Sequence, residues 1–109
     1  MRNHFNKLVR DRIPDLIRAA GKTCDTEVLS ETDYRQALRA KLIEEAQEVA
    51  TAQDEDLITE LADVQEVLMA LMAAYKISPE TVRKTQMLRR EARGSFRQRI
   101  RLLWTDEKL

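Results

Sequence analysis

Two octets carry the residues whose types and spacing could do chemistry. LIEEAQEV (residues 42–49) and LITELADV (residues 57–64) begin fifteen positions apart and share the pattern L-I-x-E-x-x-[E/D]-V. Each offers a pair of carboxylates three residues apart, Glu45 with Glu48 and Glu60 with Asp63. Four carboxylates held within a few ångströms repel one another, and a divalent cation removes that repulsion. No His or Cys stands nearby, so the donor set is all oxygen and points to Mg²⁺ or Mn²⁺ rather than zinc. A single E-x-x-E is common on exposed helices. The doubled pattern, beside two apolar stripes, is what argues for a metal site.

Positioning these groups requires two neighbouring helices. The composition favours helices throughout, with 43% apolar and 35% charged residues and only two Gly and two Pro. At 109 residues the chain reads as a single domain over residues 1–109, near the size at which oligomerisation supplies part of the core. Residues 1–12 lack a helical period and read as extended or irregular. Pro14 opens a short helix that Gly21 ends, and residues 22–30 connect. Ser30 or Thr32 caps a long helix running to about Ala52, and Asp54 caps a second from about Glu55 to Tyr75. The short break at 53–56 makes the pair an antiparallel hairpin. Ser78 and Pro79 start a third long helix that stops at Gly94. The tail, with Ile100, Leu102, Leu103 and Trp104, reads as a short helix or a strand docking on the core.

On a wheel of about 100° per residue, Leu42, Ala46, Val49 and Ala50 form the first helix's apolar stripe. The second helix's stripe is Leu57, Leu61, Val64, Leu68, Leu71 and Tyr75. In both helices the carboxylate pair lies roughly 60° and 120° to one side, beside the seam. The stretch 67–74 is apolar nearly all round, which argues for contact on more than one side. The expected architecture is therefore all-α, an antiparallel helical hairpin plus a further helix. Oligomerisation, most simply a homodimer, would assemble it into a helix bundle.

Net charge is zero, so no global field argues for nucleic acid or membrane. Between Glu44 and Tyr75 there is no Lys or Arg, and basic residues gather toward both ends. Such a layout suits a cation plus a polyanion, or helices that pair charges with each other. The single Cys24 can form no intramolecular disulfide, no N-terminal apolar run resembles a signal peptide, and no stretch is long enough to span a bilayer. A soluble cytoplasmic protein is expected.

EEAQE (44–48) followed by ELAD (60–63) resembles the E-E-x-x-E…E-x-x-D signature of the all-α nucleoside triphosphate pyrophosphohydrolases, the MazG-like superfamily. NKLVRDRIPDLI (6–17) and RREARGSF (89–96) are similar to the opening and the last-helix end of its phosphoribosyl-ATP pyrophosphohydrolase-like subgroup. The resemblance implies that Glu45, Glu48, Glu60 and Asp63 bind Mg²⁺, with Mn²⁺ a possible substitute. It also implies hydrolysis of a nucleotide between the α- and β-phosphates, giving a monophosphate and pyrophosphate. Glu44 or Glu48 is then the candidate to accept the attacking water's proton. Lys7 and Arg10, with Lys84, Arg90 and Arg93 as a second group, are the candidates for phosphate contact. The rival reading is a non-catalytic helical module, either a nucleotide sensor or a protein whose basic ends hold nucleic acid or an acidic partner.

Overall fold

The computed structural model describes residues 1–106 and 108. Among the described residues there are four α-helices and no strand: α1 (Ile13–Ala19), α2 (Glu31–Thr51), α3 (Leu57–Ala74) and α4 (Pro79–Arg93), with a 3-10 turn at Asp54–Asp56. The all-α class follows directly. Among the described residues, no helix is long and apolar enough to cross a membrane. Two compact units succeed one another along the chain, Met1–Ile77 and Ser78–Leu109.

Local chemistry sets most boundaries. Gly21, at φ +82°, closes α1 with two reversed bonds: its own N–H donates to Arg18 O at 2.9 Å, and Lys22 N–H donates to Ile17 O at 3.2 Å. This is the Schellman arrangement, in which the left-handed position favours glycine. Of the two candidate caps for α2, Ser30 is the one used, its hydroxyl accepting from Asp33 N–H at 3.2 Å. Ser78 does the same for α4 toward Thr81 N–H at 3.1 Å, and Gly94 ends that helix at φ +82°.

The expected cap at Asp54 is not formed. Residues Asp54–Asp56 wind as a 3-10 turn that passes into α3 without an extended break, and Asp56 takes near-helical dihedrals with no side-chain cap bond. The three acids instead lie at the positive end of the α3 dipole, where negative charge is favoured. The tail is also corrected. Among the described residues after Gly94 there is neither helix nor strand, and Phe96, Ile100, Leu103 and Trp104 are exposed.

In the first unit α2 and α3 pack antiparallel, with Arg35 and Arg39 meeting the end of α3 while Glu45 and Glu48 meet its start. The packed face is rotated from the one the apolar stripes predict. Leu38 and Val67 are the buried apolar side chains, and Glu45 is buried with them at 7% exposure. Half-buried Leu42 and Val49 flank Glu45, while half-buried Glu60, Val64 and Leu71 lie to either side of Val67. Leu38, Leu42, Glu45 and Val49 thus follow a four-three-four spacing, the rhythm of a helix seam. Ala46, Ala50, Leu57, Leu61 and Leu68 are exposed. Carboxylates stand in the seam rather than beside it, and of the α3 stripe Val64, Leu71 and Tyr75 are half-buried while Leu57, Leu61 and Leu68 are exposed.

The far end of the hairpin is closed by arginine. α3 has no basic residue in its last turn. Arg35 of α2 supplies the missing charge, donating through Nε and Nη2 to Ala74 O at 3.1 and 2.9 Å. Arg39 Nε donates to the Tyr75 hydroxyl at 2.9 Å, and both guanidiniums lie against the Tyr75 ring at 4.7 and 5.1 Å from its centroid. Such contacts orient the two helices with charge-assisted bonds and cation–π attraction.

Candidate metal centre

One carboxylate oxygen from each of Glu45, Glu48, Glu60 and Asp63 lies within 4.8 Å of all the others. Two helices make this possible because residues three apart share a face, and antiparallel packing sets the end of α2 against the start of α3. Glu45 is buried, Glu60 and Asp63 are half-buried, and Glu48 opens to solvent. The centre therefore has a dry floor and a wet mouth.

Two of its oxygens lack partners. Glu45 Oε2 and Glu60 Oε2 are buried and, among the described residues, accept no hydrogen bond. A buried unpartnered carboxylate oxygen is costly, and a hard cation is the natural acceptor of its charge. Burial first, and then the neighbouring Glu48, pushes the Glu45 carboxyl above its ordinary range, with Lys41 acting weakly the other way.

Cations ring the cluster. Lys7 Nζ meets Glu44 Oε1 at 3.1 Å, and Arg10 Nη2 meets Asp63 Oδ1 at 2.7 Å. Lys41 reaches both Glu44 at 3.4 Å and Glu45 at 3.5 Å. The bond from Lys7 chiefly holds the Glu44 carboxyl below its ordinary range, opposed by partial desolvation and helped by Lys41. Five carboxylates thus face three cations. One divalent cation would balance the two negative charges left over.

The sequence-derived candidates fall into three groups. The four proposed ligands come together, with Glu44 beside them and outside the converging set. Lys7 and Arg10 reach the cluster from the irregular N-terminal segment. Lys84, Arg90 and Arg93 belong to the second unit, on α4, where Arg90 lines an open depression with Ser95, Phe96 and Arg97. Lys41 is the group sequence reading passed over. Its spacing of three and four residues to Glu44 and Glu45 on one helix was the available signal.

The sequence model of the phosphoribosyl-ATP pyrophosphohydrolase family matches residues 5–89, most of the chain and every residue of this centre. The chain belongs to that family. It lies within the MazG-like all-α superfamily. A curated relative, an uncharacterized protein of Mycolicibacterium smegmatis, is 50% identical over 54 residues. That stretch is 50% of this chain and 55% of the relative, so the chain spans about half the relative's length. No solved structure matches the chain.

Proposed function

We propose that the chain is a Mg²⁺-dependent hydrolase of a nucleoside triphosphate or related nucleotide, cutting between the α- and β-phosphates to give a monophosphate and pyrophosphate. The convergence of Glu45, Glu48, Glu60 and Asp63, with two buried oxygens unpartnered, is the observation that carries this reading. An all-oxygen set of this kind fits a hard divalent cation. Bound there, such a cation would supply charge for phosphate oxygens and acidify an attacking water.

The chain's own residues would do the rest. Glu44 lies outside the converging set and is ionised, and it can accept the water's proton once Lys7 turns to phosphate; Glu48, the other candidate, would be engaged as a ligand. Lys7 and Arg10 sit at the mouth with exposed side chains, suited to phosphate. Lys84, Arg90 and Arg93 of the second unit are proposed for phosphate contact from the chemistry of their side chains alone. The experiment is a panel of nucleoside triphosphates, deoxynucleotides and phosphoribosyl-ATP with Mg²⁺, with monophosphate and pyrophosphate scored separately. Pyrophosphate release that stops with chelator is expected; its absence from every substrate, with the protein folded, refutes the assignment.

The same reading includes a homo-oligomer, most simply a dimer. Among the described residues Leu38 and Val67 are the buried apolar side chains, while Ile43, Ile58, Leu61, Leu68 and Met69 lie exposed on the two long helices, Ile58 at 82%. Fully burying an exposed side chain of this kind is worth about 1.5–3 kcal/mol, and the half-exposed ones contribute a fraction of that. Sedimentation velocity should report a dimer or larger at micromolar concentration, and Leu61→Asp should shift it toward monomer. A wild-type monomer at that concentration would remove this part of the reading.

A further inference from the structure

The three cations at the carboxylate cluster are of two kinds. Lys41 stands on α2 itself, with its side chain only 18% exposed and paired to Glu44 and Glu45 of the same helix. Lys7 and Arg10 stand on a segment that is held differently. Among the described residues, no backbone hydrogen bond ties down residues 1–9, and the first bond after them joins Ile13 N–H to Arg10 O at 3.1 Å. Asn6 sits at φ +48°, in the left-handed region that Asn tolerates, just before Lys7. Leu8 is half-buried, and among the described residues two side-chain ion pairs join residues 5–12 to the long helices. One reaches α2 and the other α3. Both basic side chains are about half exposed, so water and salt can replace these pairs.

Asp63 has two roles that compete. It is one of the four converging carboxylates, and its Oδ1 accepts a 2.7 Å charge-assisted bond from Arg10. A divalent cation drawing on the same carboxylate meets the guanidinium at short range, and the two positive charges repel. Phosphate oxygens offer Arg10 and Lys7 a replacement partner of the same chemistry.

Resting on the metal-dependent reading above, we propose that residues 5–12 are a counter-charge strap, in which Arg10 on Asp63 and Lys7 on Glu44 oppose cation uptake and transfer to nucleotide phosphates. Reciprocity follows: whatever factor the strap takes from metal affinity, the metal takes from strap docking. Mg²⁺ and nucleotide therefore bind with positive cooperativity beyond their direct contact. Arg10 restrains binding of the ion alone and rewards binding of the ion with its substrate.

The test is titration of the full chain with Mg²⁺, and separately Mn²⁺, by calorimetry without nucleotide. Wild type is compared with Arg10→Gln, Lys7→Gln and, as an equal loss of charge off the cluster, Arg12→Gln. At low ionic strength Arg10→Gln should bind the ion about threefold to tenfold tighter, Lys7→Gln less so and Arg12→Gln unchanged. The gain should shrink as salt is raised. Equal affinity in Arg10→Gln and wild type overturns the strap while leaving the metal site standing, and weaker affinity makes Arg10 a simple prop for Asp63. Failure of wild type and every variant to take up either ion removes the metal-site reading itself, and the strap with it.

Discussion

Glu60→Gln is expected to keep the fold and lower kcat/KM for pyrophosphate release by about a hundredfold or more. Glu60 is half-buried at the start of α3, its Oε2 accepts no hydrogen bond among the described residues, and it is one of the four converging donors. The amide has nearly the same shape but presents one NH₂ group where an oxygen stood. That group cannot ligate a cation, yet it can donate to the neighbouring carboxylates, so helix pairing gains where the ligand set loses. Excess Mg²⁺ should recover part of the rate, since affinity for the ion falls before the remaining three ligands fail. Glu66→Gln is the control, because Glu66 is exposed on the same helix and outside the cluster. Turnover in Glu60→Gln within threefold of wild type would show that the cluster is not where the reaction occurs.

The convergence of the four carboxylates was legible in their spacing. An i, i+3 pair written twice on adjacent helices leaves little freedom once the helices pack antiparallel, and all four expected ligands converge. Caps were legible for the same local reason: Ser30, Ser78 and Gly94 act within a few residues of themselves. The seam was not. Hydrophobicity ranks Leu57, Leu61 and Leu68 above Glu60, so a wheel puts the leucines inward, whereas the packed face runs through Glu60 and Val67. Periodicity records that a helix has an apolar face and is silent on which surface that face meets. A carboxylate centre inside the pair and an apolar stripe outside it satisfy the same sequence. Lys41 escaped attention because its meaning depends on that rotation, which carries it inward with Glu45. Asp54 misled because a 3-10 turn can lead into a helix without the extended residue that a side-chain cap requires.

Glu45→Gln should invert the order of stability between chelator and Mg²⁺. In wild type Glu45 is buried in the seam with Oε2 unpartnered, and burial together with Glu48 raises its carboxyl pKa in the folded chain. A raised folded-state value means that the folded protein holds this proton more tightly than the unfolded chain does. The group's favourable contribution is therefore complete below about pH 4.5, the ordinary glutamate range, and is lost as pH rises through the raised value. At neutral pH in chelator the ionised side chain is a net cost, offset only partly by Lys41 at 3.5 Å. The neutral amide lacks that cost. Its melting temperature at pH 7.5 in chelator should exceed that of wild type, by about 4–8 °C for each kcal/mol recovered in a chain of this size. The gap should close as pH is lowered toward 4.5. Mg²⁺ acts in the opposite direction, because an ion at a hundred times its dissociation constant stabilises the protein that binds it by about 2.7 kcal/mol. Wild type gains that increment and Glu45→Gln gains little, so their order reverses. Thermal melts at several pH values, with chelator and with Mg²⁺, measure both arms. A variant less stable than wild type in chelator at pH 7.5 would mean that Lys41 outweighs burial, and that Glu45 is held in the seam by its ion pair rather than retained for a cation.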